Sequence, residues 1–253
     1  MKKLMLGTVA VAALGMAAAS ALAADLPART YTKAPVMVAP VYDWSGFYIG
    51  LNGGGASSRE CYTVFSVAGA AVNPNSEGCH SATGAVAGGQ IGYRWQASNW
   101  VFGVEGQGDW ANLKGSNASL TAVVPYTNQT KINGIGLFTG QVGYTWSSVL
   151  LYLKGGAAVA SNSYSSFFTA TGVAFNQASD TRWGGAVGTG IEFGFAPNWS
   201  VGLEYDHLFM GNPSVTFPAT AIAVTRSDNI RQGVDMGTVR VNYRFGGPVI
   251  AKY

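Results

Sequence analysis

Residues 237–245 read GTVRVNYRF. Val239, Val241, Tyr243 and Phe245 alternate with Arg240, Asn242 and Arg244. Successive side chains of a strand point to opposite faces, so this stretch has one apolar face and one charged face. Such a strand needs apolar surroundings on one side and polar ones on the other. The pattern recurs along a chain that opens with an export signal. Strands can cross a membrane only as a closed barrel, because every backbone polar group must be paired. Together these features predict a bacterial outer-membrane barrel, with lipid outside and charge within.

The export signal is read at residues 1–23. Lys2 and Lys3 form a positive start, Leu4 to Ala19 is apolar and rich in Ala, and Ala21-Leu22-Ala23 is a small-x-small cleavage site. Cleavage there removes two of the 15 basic residues and leaves 13 against 12 acids, so the exported chain is nearly neutral. With no basic stripe or tail, nothing points to nucleic acid. Charged residues make up 11% of the chain, below the roughly 25% of ordinary soluble domains. The 35 glycines disfavour helices. Residues 24–43 carry Pro27, Pro35 and Pro40 without periodicity and read as a periplasmic lead-in. Residues 44–253 form the barrel domain.

Seven further segments alternate like the last. Phe47, Ile49 and Leu51 oppose Tyr48, Gly50 and Asn52. Ala87, Gly89, Ile91, Tyr93 and Trp95 oppose Gln90 and Arg94. Trp100, Phe102, Val104 and Trp110 oppose Glu105, Gln107 and Asp109. Phe138, Val142, Tyr144 and Trp146 oppose Gln141. Leu151, Leu153 and Val159 oppose Tyr152 and Lys154. Trp183, Val187, Ile191, Phe193 and Phe195 oppose Glu192. Trp199, Val201, Leu203 and Tyr205 oppose Glu204 and Asp206. Short polar links at Gln96–Asn99, Ser147–Ser148 and Ala196–Asn198 alternate with long stretches near 57–81, 111–131, 161–180 and 211–230. The predicted fold is all-β: an eight-stranded antiparallel up-and-down transmembrane barrel with short periplasmic turns and long outer loops. Trp95, Trp100, Trp146 and Trp199 flank the short turns, where indole rings suit the headgroup level.

The segments ADLPARTYTKAP (24–35), WSGFYIGLNGG (44–54), PNWSVGLEYDH (197–207) and VNYRFGGPVIAKY (241–253) resemble the small porin-family outer-membrane β-barrel proteins of alphaproteobacteria. The resemblance spans nearly the whole exported chain. It implies a barrel of about eight strands among abundant surface proteins linked to envelope integrity, some relatives binding haemin or acting as adhesins. It also implies assembly by the barrel-insertion machinery, which reads a terminal strand ending in an aromatic. Tyr243 and Phe245 fit that signal; Tyr253 is the rival. Pro248 discourages extending the strand to it.

Arg94, Glu105, Asp109, Lys154, Glu192, Glu204, Asp206, Arg240 and Arg244 all fall on the lumen face. About eight strands leave an interior just wide enough for side chains to fill. Opposite charges there should pair, because an unpaired buried ion is costly. The expected result is a polar network that holds the barrel shut; the alternative is a narrow water-filled ion path. Glu204 and Asp206 share a face and invite an acid–base reading, but any lumen pattern gives the same spacing.

Cys61 and Cys79 bracket the first long stretch, 18 residues apart. Export to an oxidising compartment favours a disulfide, with a chain-entropy gain of about 3 kcal/mol if strain is small. Free thiols and metal ligation are the alternatives; with His80 the set is one ligand short of a closed zinc site. His80 and His207 are the only histidines. No catalytic motif, cofactor or metal set is evident. The expected partners are outer-membrane lipid and lipopolysaccharide, the assembly machinery, and a haemin or host-surface ligand at the outer loops. Four functional readings stand, in falling order: a non-enzymatic envelope barrel, a small diffusion porin, a haemin-binding or adhesive surface protein, and a catalytic barrel such as a lipase or protease, for which no nucleophile or acidic dyad can be placed near the outer rim.

Overall fold

A computed structural model describes residues 42–119, 125–220 and 223–246. The signal segment, most of the lead-in and Tyr253 lie outside the described residues. Nine strands follow in chain order: β1 (Gly46–Val67), β2 (Ala70–Ala97), β3 (Trp100–Ala118), β4 (Tyr126–Trp146), β5 (Val149–Phe168), β6 (Ala174–Ala196), β7 (Trp199–Phe209), β8 (Ser214–Phe217) and β9 (Arg226–Phe245). All pairings are antiparallel. Strands β1 to β7 pair in sequence, β7 pairs with β9, and β9 closes the ring onto β1.

The ninth strand does not enlarge the ring. β8 pairs with the outer end of β9, Ser214 opposite Asn229, where β7 left off at Phe209 opposite Gly233. Between them Gly211 takes φ +73°, followed by Asn212 and Pro213. A left-handed residue and a proline break the ladder, so β7 and β8 are one interrupted strand. The predicted eight-stranded barrel is therefore the observed one.

Register fixes its shape. Stepping round the ring through paired residues from Phe47, by Tyr93, Val104, Gly140, Gly155, Val187, His207 and Asp235, returns to β1 at Ser57. The stagger is ten residues (57 − 47). For eight strands this corresponds to a tilt of roughly 40°.

The predicted lipid face is the observed exposed face. Outward apolar residues run from Phe47 to Leu51 on β1, Ile91 to Trp95 on β2, Trp100 to Trp110 on β3, and Val239 to Phe245 on β9. The four tryptophans beside the short turns are all exposed at that edge. Trp110, Trp183 and Phe209 lie toward the far edge.

The outer connections are long, yet most of their length is strand. Apart from β7 and β8, the strands have 19 to 28 residues. About 9–11 tilted residues cross a bilayer, so the hairpins stand well above it. β1 and β2 meet in the two-residue turn Ala68-Gly69, both at positive φ, within a stretch expected to be loop. The physical reason is a change of solvent. Above the lipid band the outward positions face water and become Ser57, Arg59 and Thr63, while inward Ser58, Glu60, Tyr62 and Val64 stay buried. Alternation continues, but its apolar half no longer marks the outer face.

Candidate functional site: the layered lumen

The inward side chains form successive layers. Along β9 they run Arg244, Asn242, Arg240, Thr238, Met236, Val234, Gln232, Ile230, Asp228, Arg226. Along β5 they run Leu150, Tyr152, Lys154, Gly156, Ala158, Ala160, Asn162, Tyr164. The order is the same on both strands: mouth, charge, apolar, then a second polar zone.

At the periplasmic mouth Trp44 packs with Val101, Leu150 and Tyr152, with Tyr42 beside them. Trp44 Nε1 donates to Thr145 Oγ1 at 2.8 Å, and its backbone N–H donates to Gln96 Oε1 at 3.0 Å. Arg244 sits here and not in the charge layer. It donates to the carbonyls of Ser45 at 3.0 Å and Pro197 at 3.1 Å, and lies 3.9 Å from Asp43. Tyr42 and Asp43, expected in the lead-in, thus meet the barrel mouth.

Seven of the nine lumen charges form one connected network above the mouth. Arg94 holds Glu192 through two bonds of 2.7 and 2.8 Å. Glu192 also accepts from Ser200 at 3.1 Å and Asn242 at 2.9 Å. Arg240 donates to Glu105 and Glu204, donates to the Tyr152 hydroxyl at 3.0 Å, and lies 3.7 Å from Glu192. Lys154 donates to Glu204 at 2.7 Å and lies 3.5 Å from Glu105 and 3.3 Å from Asp206. Tyr48 donates to Glu105 at 2.6 Å and Tyr152 to Glu204 at 2.5 Å. A side chain at Gly92 would put Cβ 2.5 Å from the Tyr48 ring, so only glycine lets that ring lie against β2. Asp109 stands apart: it is buried and accepts from Gln107 at 2.9 Å, and among the described residues no cation pairs with it. Three cations therefore face four carboxylates in the network, with Asp109 a fifth nearby. Of the two carboxylates that share a face, Glu204 pairs with Lys154 and Arg240, and Asp206 lies beside Lys154.

The next layer was not anticipated. Fifteen buried apolar residues form one cluster, including Val86, Leu113, Ile132, Leu137, Leu208 and Val234. Fourteen of them share the inward parity of the charges on their strand, and that shared parity was the signal available in the sequence; Ile132 is brought onto the same face by the bulge between Ile132 and Gly134. Beyond them Glu60, Asn162 and Arg182 gather round Gln232. Tyr62, Tyr164, Val215, Phe217 and Ile230 pack next. Arg226 then bridges Glu77 at 3.2 Å and Asp228 at 2.6 Å. Burial pushes Asp228 up to about 6, against the opposing pull of Arg226. Glu60, Glu77, Arg226 and Asp228 fall in stretches read as loop, and Arg182 lies between such a stretch and the sixth strand, so the sequence reading missed them.

Cys61 and Cys79 are register partners on β1 and β2 and form a disulfide. Both lie on the outward face of the hairpin, where the bond ties two strands already paired. His80 points inward, its Nδ1 2.8 Å from Asn117 Oδ1; desolvation lowers its pKa. His207 lies outward, bound to Asp235 at 2.7 Å. The two histidines thus face opposite sides of the wall. Among the described residues no group of three His, Cys, Asp or Glu could hold a metal ion. Tyr243 and Phe245 face outward at the periplasmic edge, their rings 5.0 Å apart, and Phe245 is the last strand residue.

Comparison with known proteins adds the lineage. The chain is 27% identical over 252 residues to a 31 kDa outer-membrane immunogenic protein of Brucella melitensis, covering 97% of this chain and all of that one. It is 28% identical to a 25 kDa outer-membrane immunogenic protein of Brucella abortus, covering 92% and 95%. Among solved structures, the outer membrane protein OprG of Pseudomonas aeruginosa aligns with a TM-score of 0.49 at 14% identity, covering 81% of this chain and 99% of that one. The family model described as the outer membrane protein beta-barrel domain matches residues 9–245. The chain belongs to that family of outer-membrane barrels, and its place is the cell outer membrane.

Proposed function

We propose that this protein is a non-enzymatic structural barrel of the outer membrane. Its lumen is sealed by its own side chains, and its tall hairpins form a rigid surface feature. The observation that carries the reading is the apolar layer of fifteen buried residues between two polar zones. An ion crossing such a layer must shed its water without gaining a partner, which is strongly unfavourable. Below it, Arg94, Lys154 and Arg240 pair with Glu192, Glu204 and Glu105 and fill the lumen with charged side chains. The relatives' description as immunogenic fits hairpins that stand out from the cell. A role in envelope integrity follows from a stiff, closed element that spans the bilayer and projects beyond it. A deletion strain should become more sensitive to detergent and osmotic shock, with wild-type levels restored by the intact gene. An unchanged envelope would remove the integrity role.

One observation favours the second reading, a small diffusion porin. Carboxylates outnumber cations in the charge layer. If the lumen opened, that surplus would make it cation-selective. Purified protein in vesicles loaded with a potassium-sensitive dye distinguishes the two: no leak above empty vesicles supports the sealed barrel, and a protein-dependent leak supports the porin.

A further inference from the structure

Four cations stand on the outward face of the barrel just above its apolar band. Lys114 and Lys131 are direct register partners across β3 and β4. On the same face Trp110 lies four residues nearer the membrane along β3. Arg59 and Arg231 are diagonal neighbours across β1 and β9, since Arg59 opposes Gly233 and Arg231 opposes Cys61. All four side chains are exposed, and among the described residues none has an ion-pair partner. Like charges placed side by side on one sheet face repel. The barrel carries two such juxtapositions, both beyond the edge of its lipid-facing surface.

The arginine pair opens onto a groove of about 720 Å³ that also takes in His207, Phe209 and Asp235. Asp235 is engaged by the Tyr205 hydroxyl at 2.6 Å and by His207 Nδ1 at 2.7 Å. Phe209 is 56% exposed and supplies an apolar wall below the guanidinium groups. A cationic upper edge above an apolar wall, at the membrane boundary, matches an anionic amphiphile held upright in the outer leaflet.

We infer that the Arg59–Arg231 and Lys114–Lys131 pairs each hold a phosphate of a phosphorylated outer-leaflet glycolipid. The inference rests on the chain's place in the outer membrane and does not require a sealed lumen. Phosphate between two cations turns their repulsion into shared attraction. Arg59 and Arg231 offer planar forks to the phosphate oxygens, and Lys114 and Lys131 act as point charges. An acyl chain of the same lipid lies along Phe209.

The test uses the full exported chain in mild detergent, with diphosphoryl lipid A, monophosphoryl lipid A, phosphatidylglycerol and inorganic phosphate as probes. Bound lipid is counted by native mass spectrometry. Diphosphoryl lipid A should bind at least tenfold more tightly than phosphatidylglycerol, with millimolar inorganic phosphate failing to displace it. R59Q/R231Q and K114Q/K131Q should each weaken binding about tenfold, and R59K/R231K should retain most of it. Folding is checked by the heat-dependent gel shift of barrels. Should a glutamine variant fail to fold, a salt titration of the wild type decides, since two-site charge recognition must weaken as salt rises. Equal lipid binding by both folded glutamine variants, or salt-insensitive binding, would overturn the inference. Displacement by inorganic phosphate would replace the lipid with a free anion.

Discussion

Replacing Arg240 by methionine removes the cation on which three carboxylates converge. Arg240 is 1% exposed and contacts Glu105, Glu204, Glu192 and the Tyr152 hydroxyl. Methionine keeps much of the length but none of the charge. Arg94 and Lys154 then face Glu105, Glu192, Glu204 and Asp206 alone. Removing one partner of a buried ion pair costs about 3–5 kcal/mol, because the remaining charge stays desolvated and uncompensated. With a urea dependence of about 2 kcal/mol/M, the unfolding midpoint should fall by roughly 2 M. Tryptophan fluorescence of the protein in lipid vesicles, with the heat-dependent gel shift as a second probe, reads the midpoint. The loss should shrink when Glu204→Gln is already present, since fewer anions are then stranded. A midpoint change under about 0.5 M, or the same loss in both backgrounds, would refute the idea that the network compensates itself through Arg240.

Glycine packing offers a second check. At Gly50 a Cβ would stand 2.5 Å from Gln90 Nε2 and 2.6 Å from the Val241 carbonyl oxygen, whereas at Gly108 nothing lies within 4 Å. Gly50→Ala should therefore cost about 1–3 kcal/mol in the same unfolding assay and Gly108→Ala next to nothing. The outer layer predicts a pH response. Asp228, raised to about 6 in the folded barrel, binds its proton more readily there than in the unfolded chain. Its contribution to stability is full below the ordinary carboxylate range and is lost as pH rises toward about 6. Amides of β8 and the adjoining end of β9 should exchange hydrogen faster, after correction for intrinsic rates, at pH 7 than at pH 4.5, and Asp228→Asn should flatten that difference. For assembly, removing residues 246–253 should leave insertion into the outer membrane intact, while Phe245→Ala should lower it. Membrane fractionation with the gel shift reads both variants, and loss of insertion on truncation alone would transfer the signal to Tyr253.

The lipid-facing half of the barrel was legible because two solvents alternate there. Val239, Val241 and Phe245 against Arg240, Asn242 and Arg244 give both the strand and its orientation. The same reading placed the charges of the network on the lumen face. It could not say that Arg244 turns to backbone carbonyls at the mouth or that Asp109 stands apart, because register and tilt decide which inward residues meet. Above the membrane the outward face meets water, so Ser161, Ser163 and Ser165 on β5 look like loop although Asn162 and Tyr164 between them are buried. The outer charges Glu60, Glu77 and Arg226 were lost with other stretches of the same kind, and Arg182 was left at the edge of one. The apolar layer was missed for a different reason. Leu113, Leu137 and Val234 carry the parity of the lumen, and an apolar residue on a lumen face is visible only when parity is followed past the end of the lipid band. The break between β7 and β8 was written in Gly211 and Pro213, but only pairing with β9 shows that both pieces belong to one strand.

The proposed function requires that the apolar layer and the charge network close the lumen. Single-channel current through planar bilayers tests it most directly, using protein shown to be folded by the gel shift. A sealed lumen gives a silent membrane over many insertions. Steady, cation-selective steps from the folded protein would contradict it and make the surplus carboxylates of the lumen a selectivity filter.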